Sequence, residues 1–410
     1  MRQLAHRCYA ALRAPDLPGL STAFLKAFFV VVPSLALVLR DVITLRTLGA
    51  SNALEGTLAC WTVVQFLANL ALSAIVLVLT PKPQEADAPG TQATFAWTGL
   101  GLGLILWLTS TWWLQPFDLS STAYLSAQAA APWGLLLLTG MCASAVLRAS
   151  SLARGQYAQT FLPTLLPPVC ATVAVLEGYG ALGYAAGTAL GQGLEWLVRN
   201  IWTQGRSAPA GASWLPRQGP LLGRVVGLVP AILAGALIPV LATTLASRGG
   251  PGALINWTYG NRLVAMANLG FGSILNTWML RHPHKLRRGL SLAITVGIVL
   301  ASILALLSGV IAHTLYGHKL STSAMAQLVT AQAWELLTLP GLLMIGAINN
   351  ALAGHSNHRL MRRLSLLGVL PLLAGFAAFS HPSLQTVVGL LLLCQMTGLA
   401  VATRGLRHAV

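Results

Sequence analysis

Apolar runs about 20 residues long follow one another along nearly the whole sequence, and this spacing restricts the fold more than any motif does. A helix of about 20 apolar residues crosses the roughly 30 Å of hydrocarbon in a bilayer. Twelve such runs can be read, near 22–47, 54–80, 95–115, 132–152, 161–177, 180–202, 221–246, 254–280, 290–313, 328–353, 362–380 and 383–403. Only 8% of the 410 residues are charged, against about 25% in a soluble domain that must wet its surface. The expected fold class is therefore all-α and polytopic: about twelve transmembrane helices. Prolines inside several runs, including Pro33, Pro163, Pro230 and Pro371, are tolerable where neighbours or a wet cavity satisfy the freed carbonyls.

The remaining charge is lopsided, with 25 Lys and Arg against 9 Asp and Glu. A nucleic-acid binder would carry such an excess on one face of a soluble domain, and no such domain is present; no nucleic-acid partner is expected. With a cytoplasmic N-terminus, cytoplasmic ends and loops hold every Lys and Arg except Arg40, Arg46, Arg248, Arg262 and Lys319. Arg148 and Arg199 are counted among those cytoplasmic ends. This is the bias of an N-in, C-in protein with an even number of spans. Residues 1–20 read as a basic segment at the cytoplasmic surface, because they lack the apolar core of a signal peptide.

A faint repeat recurs at an offset of about 200 residues: Ala53-Leu54 with Ala253-Leu254, Ala68-Asn69-Leu70 with Ala267-Asn268-Leu269, and Leu152-Ala153 with Leu352-Ala353. It implies two pseudo-symmetric six-helix bundles, 21–203 and 221–405, joined by a cytoplasmic linker over 204–220. Parallel repeats usually set the substrate path between them, near the midplane.

Ionisable groups at membrane depth are costly and mark function by default. The first run carries Arg40, Asp41 and Arg46, the second opens with Glu55, and the eighth holds Asn261 and Arg262. Glu195 and Glu335 lie near the ends of their runs. One reading makes a cationic cavity in which Arg40 and Arg262 hold an anionic headgroup and Glu55 balances or gates them, since a guanidinium fork pairs bidentately with phosphate oxygens. The other makes Arg40–Asp41 and Glu55–Arg46 ion pairs that snorkel to the outer interface. Gln65, Asn69, Gln192, Asn256, Asn261, Asn268, Asn276, Asn349 and Asn350 are polar groups that line a cavity or bond between helices. Gly183, Gly187 and Gly191 form a close-packing ridge. Gly99, Gly101 and Gly103 follow no strand, so they are not a nucleotide fingerprint. The cysteines and histidines show no metal-ligand spacing, and no nucleotide-hydrolysis, zinc-hydrolase or serine-hydrolase motif occurs. No cofactor, no metal and no enzymatic activity are expected.

The segment Leu39–Ala59, LRDVITLRTLGASNALEGTLA, resembles the first-helix signature of the MurJ/MviN lipid II flippases. The segment Ile255–Leu280, INWTYGNRLVAMANLGFGSILNTWML, is similar to that family's Tyr-Ala-Asp-Arg-Leu helix. The resemblance runs through nearly the whole chain. It places Arg40, Glu55 and Arg262 on charged functional positions, with Asn261 where an Asp is usual. Ser34 and Ala68 stand where lipid II flippases carry further arginines, and the two C-terminal helices of their lipid-tail groove are missing. What the resemblance implies is a diverged twelve-helix flippase of the bacterial inner membrane. Its substrate would be a polyprenyl-diphosphate-linked saccharide held by Arg40, Asp41, Arg46, Glu55, Asn261 and Arg262. Membrane lipids and glycan-synthesis enzymes would be its partners. A cation-coupled multidrug or metabolite exporter of the same superfamily and a non-transporting scaffold for glycan synthesis are the alternatives.

Overall fold

The computed structural model describes residues 20–80, 83–88, 90–203, 215–250, 252–272, 275, 278–279, 283–317, 321–354 and 358–407. The expected N-terminal segment apart from residue 20, the 204–214 portion of the expected linker, Asn276, and the charged residues Lys82, Arg206, Arg281 and Lys319 lie outside these. The described residues are helical, without strands, and the protein is an all-α polytopic membrane protein. Its main helices are α1 (Leu20–Leu48), α2 (Asn52–Leu79), α3 (Thr91–Leu108), α4 (Ser121–Ala130), α5 (Trp133–Ala153), α6 (Leu166–Leu176), α7 (Gly180–Thr203), α8 (Leu215–Ser247), α9 (Ala253–Ala267), α10 (Leu286–Tyr316), α11 (Thr322–Leu336), α12 (Leu339–Gly354), α13 (His358–Ala378) and α14 (Leu384–Arg407).

Over its described residues, each of the twelve apolar runs coincides largely with helix. By length and composition, seven described helices suffice to cross a membrane, or eight when α3 and the bent segment Ser110–Phe117 count as one span. Helix α7 falls short because Gly, Gln192 and Glu195 dilute its apolar content. Helix α9 is too short alone, since α-geometry gives way to a π-turn over Asn268–Gly272. Such turns are rare and concentrate at functional sites. The tenth run is divided at Leu337–Thr338, where the Thr338 hydroxyl donates to the Glu335 carbonyl at 2.7 Å. Helix α4 was not anticipated: at ten residues, STAYLSAQAA, it is too short to register as a span. It is fixed by the Ser120 hydroxyl, which accepts from the Ala123 amide at 3.3 Å.

Lipid supplies no hydrophobic drive between helices, so close packing of small residues carries the association. The α7 ridge does this against α6. A Cβ at Gly187 would lie 2.6 Å from the Cys170 carbonyl oxygen, and one at Gly191 2.5 Å from Pro167 Cα. Gly99 and Gly103 pack α3 on α5 in the same way, at 2.5 Å from the Leu138 oxygen and 2.6 Å from Leu135 Cα, while Gly101 faces open space. The largest core joins early and late helices at one end of the bundle. Leu45, Leu54, Leu58 and Trp61 there share a cluster with Leu254, Ile255, Tyr259, Tyr316 and Leu328. Smaller cores hold α9–α12 together and α8 to α13 and α14.

Helix α2 meets α4 at Gly56, where a Cβ would stand 1.8 Å from the Ala123 carbonyl oxygen. Gly56→Val is expected to destabilise the protein by about 3 kcal/mol, the upper part of the usual overpacking range, whereas Gly101→Ala leaves stability unchanged. Thermal unfolding in detergent measures the difference, and equal unfolding temperatures would contradict the packing described.

Candidate functional site

Between Lys26 and Arg40 helix α1 is apolar but for Ser34, and the Arg40-Asp41 charges that follow are drawn fully inside. Arg40 and Asp41 are each 1% exposed. Arg40 donates from Nε to Asp41 Oδ1 at 2.9 Å, and its terminal nitrogen lies 2.8 Å from the same oxygen. The second carboxylate oxygen faces Arg262 Nε at 2.5 Å, an ion-pair contact outside hydrogen-bond alignment. Asp41 is thus shared by guanidiniums from α1 and α9. The sequence shows no acidic neighbour for Arg262, and the fold supplies one from the far end of the chain. An aromatic shell encloses the trio. The Arg40 guanidinium lies 4.5 Å from the centre of the Tyr184 ring, which meets Trp61 edge-on. Tyr259 meets Tyr316 likewise, with ring centres 6.0 Å apart. Low polarity around the pairs strengthens them and raises the cost of losing one member.

The 26% exposed side chain of Arg262 turns toward a cavity between the helices. Three contiguous compartments of about 290, 340 and 620 Å³ share Asn69 as a lining residue. The first contains Gln65, Thr243, Asn261 and Arg262. The second contains Arg40, Arg148, Arg262, Gln192 and Glu195. The largest is lined mainly by apolar side chains, into which the neutral amides of Asn261, Asn268, Asn349, Asn350 and Gln395 are set. Asn261 and Arg262, adjacent on α9, therefore face the cavity together.

Glu55 and Arg46 stand elsewhere. They do not pair with each other and do not line these compartments; each turns to exposed backbone ends at the end of the bundle where α1 finishes. Arg46 donates to the Leu315 carbonyl at 2.5 Å and to that of Thr314, in the last turn of α10, where carbonyls lack helical partners. Glu55, 8% exposed, faces the backbone amides of Gly252 and Leu254 at the N-terminus of α9, where a negative charge is favoured. Gly252 reaches this position with φ +79°. Arg248 adds a third tie, donating to the Pro116 carbonyl at 3.2 Å while stacking 3.9 Å from the centre of the Phe376 ring. All three bind helices before residue 203 to helices after 215. The ion pair expected between Glu55 and Arg46 is replaced by these latches because unpaired helix termini lie closer to each charge.

Two arginines assigned to cytoplasmic ends are interior. Arg199 is buried, paired with Glu195 at 2.7 Å, and donates to the Gln159 and Thr160 carbonyls at 2.6 and 2.8 Å. Arg148 lines the cavity. Its spacing from Leu137, Met141 and Ser144 repeats every three or four residues, which is one face of a helix. That pattern was available in the sequence, but position near a span's end outweighed it. Glu335, also expected near an end, is 1% exposed, and neither carboxyl oxygen has a hydrogen-bond partner. It packs on Gly260, where a Cβ would stand 2.7 Å from Oε1.

No protein-family profile matches the chain, and no curated protein matches it by sequence. Solved structures do match. A structure described as "Lipid II flippase MurJ, inward closed conformation" aligns with a TM-score of 0.75 at 14% identity, covering 94% of this chain and 87% of that one. A multidrug resistance MATE family transporter of the MOP superfamily, in an outward-facing conformation, gives 0.65 at 16%, covering 97% and 96%. A MOP superfamily transporter from Pyrococcus furiosus, described as having a binding pocket of reverse polarity, gives 0.60 at 15%, covering 93% of each. At these identities what is shared is the fold.

Removing the shared carboxylate would leave the buried Arg40 guanidinium and the partly exposed one of Arg262 without their counter-charge. Asp41→Ala is expected to cost about 3–5 kcal/mol, as for other broken buried pairs, read as a fall in unfolding temperature in detergent. A fall no larger than that of an exposed-site substitution would show that the trio does not hold the helices together.

Proposed function

We propose that the protein is a flippase that carries a polyprenyl-diphosphate-linked saccharide across its membrane by alternating access. The observation that supports this best is the sign of the cavity. In and directly behind the second compartment, the carboxylates that Arg40, Arg148, Arg199 and Arg262 face among the described residues are Asp41 and Glu195. Excess positive charge at membrane depth is unfavourable unless something anionic fills it. A diphosphate meets that need, and guanidinium forks match its oxygens. The neutral compartment lined by Asn349, Asn350 and Gln395 suits sugar hydroxyls. The polyprenyl tail stays in lipid throughout. The match to the MurJ fold is consistent with this reading and carries less weight, because the same fold serves the MATE neighbours.

In this mechanism Arg262 engages the diphosphate, Asn261 beside it accepts or donates to the first sugar, and Asp41 keeps both guanidiniums positioned. Arg46, Glu55 and Arg248 hold one end shut. Release requires those latches to part, and their partners, backbone groups at helix ends, can be taken over by water once exposed. Transport then follows from ligand shifting the balance between latched and unlatched states. The placement of this cycle in a bacterial inner membrane, with both termini cytoplasmic, belongs to the same proposal.

A second reading, a cation-coupled exporter of drugs or metabolites, is favoured by Glu335. An unpartnered carboxyl inside a membrane suits a proton or small cation as coupling ion. Against cationic drugs as cargo stands the excess of arginine.

In proteoliposomes, Arg262→Ala is expected to abolish translocation of a polyprenyl-diphosphate disaccharide, with reconstitution efficiency unchanged. Undiminished flipping by that variant, or broadened drug resistance in an overexpressing strain without any flipping, would remove the leading reading. Arg46→Ala combined with Glu55→Ala is expected to raise the labelling of Thr258→Cys by a membrane-impermeant thiol reagent added on the latched side by several-fold. Unchanged labelling would refute the latch.

A further inference from the structure

Arg148 is a charge that the fold has not neutralised. It sits on α5 one turn beyond Ser144, half-buried, on the stripe of that helix that faces the cavity. No carboxylate among the described residues forms an ion pair with it. The carboxylate that lines the same compartment, Glu195, is shared: Arg199 donates to its Oε1 from Nε at 2.9 Å and from a terminal nitrogen at 2.7 Å, so one carboxylate stands against the charges of both Arg199 and Arg148. The recorded contact of the Arg148 guanidinium is with the Phe161 ring, 5.4 Å to its centre. A cation over an aromatic face retains its full charge and its hydrogen-bond donors. By contrast, Arg40 and Arg262 spend part of their capacity on Asp41.

The position of Arg148 gives that free fork a direction. Arg40, Arg148 and Arg262 line one compartment of about 340 Å³, with Arg40 and Arg262 gathered at Asp41 and Arg148 on a different helix. The space is small enough for one short polyanion to reach both. The adjoining larger compartment has no charged lining residue among the described residues. The cavity is thus divided into a cationic part with two separate anion anchors and a neutral part.

We infer that Arg148 is a second anchoring arginine, which binds the phosphoryl group that the Arg40–Arg262 pair leaves unengaged and so makes the cavity select diphosphates over monophosphates. It also fixes which way the headgroup lies, with the phosphates toward α5 and the uncharged remainder toward α12 and α14. This rests on the flippase reading above and goes beyond it by assigning a specificity-determining residue. A single anchor would bind any phosphate ester alike; two spaced anchors reward a ligand with two phosphoryl groups, because each guanidinium gains its own charge-assisted pair.

The test uses the purified full-length protein in detergent, with geranylgeranyl diphosphate and geranylgeranyl monophosphate as probes and calorimetric or fluorescence titration as readout. The wild type is expected to prefer the diphosphate by about tenfold or more, the scale of one added charged pair. Arg148→Gln and Arg148→Met are expected to lose that preference while binding the monophosphate as before, and Arg148→Lys to keep part of it. Two neutral variants are used so that misfolding of one leaves the other to decide. Retention of the full diphosphate preference by either folded neutral variant would overturn the assignment of Arg148 and leave the flippase reading standing. Failure of the wild type to bind either probe would overturn both.

Discussion

A carboxylate placed at membrane depth between two guanidiniums sets the terms for the rest of the molecule. Asp41 reaches Arg40 through one oxygen and Arg262 through the other, so a single residue of the first helix also stabilises a charge on α9. Charges in such surroundings are tolerable only when paired, and this requirement dictates which helices must touch. It brings α1, α7 and α9 together around Tyr184 and Tyr259. It also leaves Arg262 partly turned outward, because Asp41 cannot satisfy all the donors of two guanidiniums at once. The anion site proposed above would follow from that incomplete satisfaction.

The closed end is held by a different kind of contact. Arg46, Glu55 and Arg248 each meet backbone groups that a helix end or turn leaves open. These ties need no matching side chain opposite, so they part without leaving a buried charge in lipid, provided that water reaches them. The trio around Asp41 has no such exchange available. The two kinds of contact thus differ in what their separation costs, and in the proposed alternating-access cycle this difference would separate the part of the bundle that opens from the part that stays assembled.

The helical architecture was legible in the sequence because bilayer thickness imposes a length that apolar runs display directly. Arg40, Asp41 and Arg262 were legible as exceptions inside such runs. Their mutual contact was not, since nothing local links residue 41 to residue 262. The latches of Arg46 and Glu55 left no trace for a related reason: a backbone partner has no side chain to recognise, and an opposite charge nearby in sequence suggested a pair that the fold does not make. The inward direction of Arg148 and Arg199 was not legible because the positive-inside rule weighs distance from a span's end and ignores which face of the helix a residue occupies. The four-three-four spacing from Leu137 to Arg148 carried the missing information. Helix α4, ten residues of small side chains, falls below the length that a bilayer selects.

The glycine ridge of α7 has a mechanical consequence. With Gly187 and Gly191 seated on the backbone of α6, those two rods touch main chain to main chain, and neither can slide without a collision. The arginine-bearing wall behind them is therefore a stiff anvil. On the facing side, the π-turn at Asn268–Gly272 and the break at Leu337–Thr338 interrupt regular hydrogen bonding in the middle of the rods. In the proposed transport cycle bending would concentrate at these interruptions, and the later helices would act as a jaw with two built-in joints against a fixed plate.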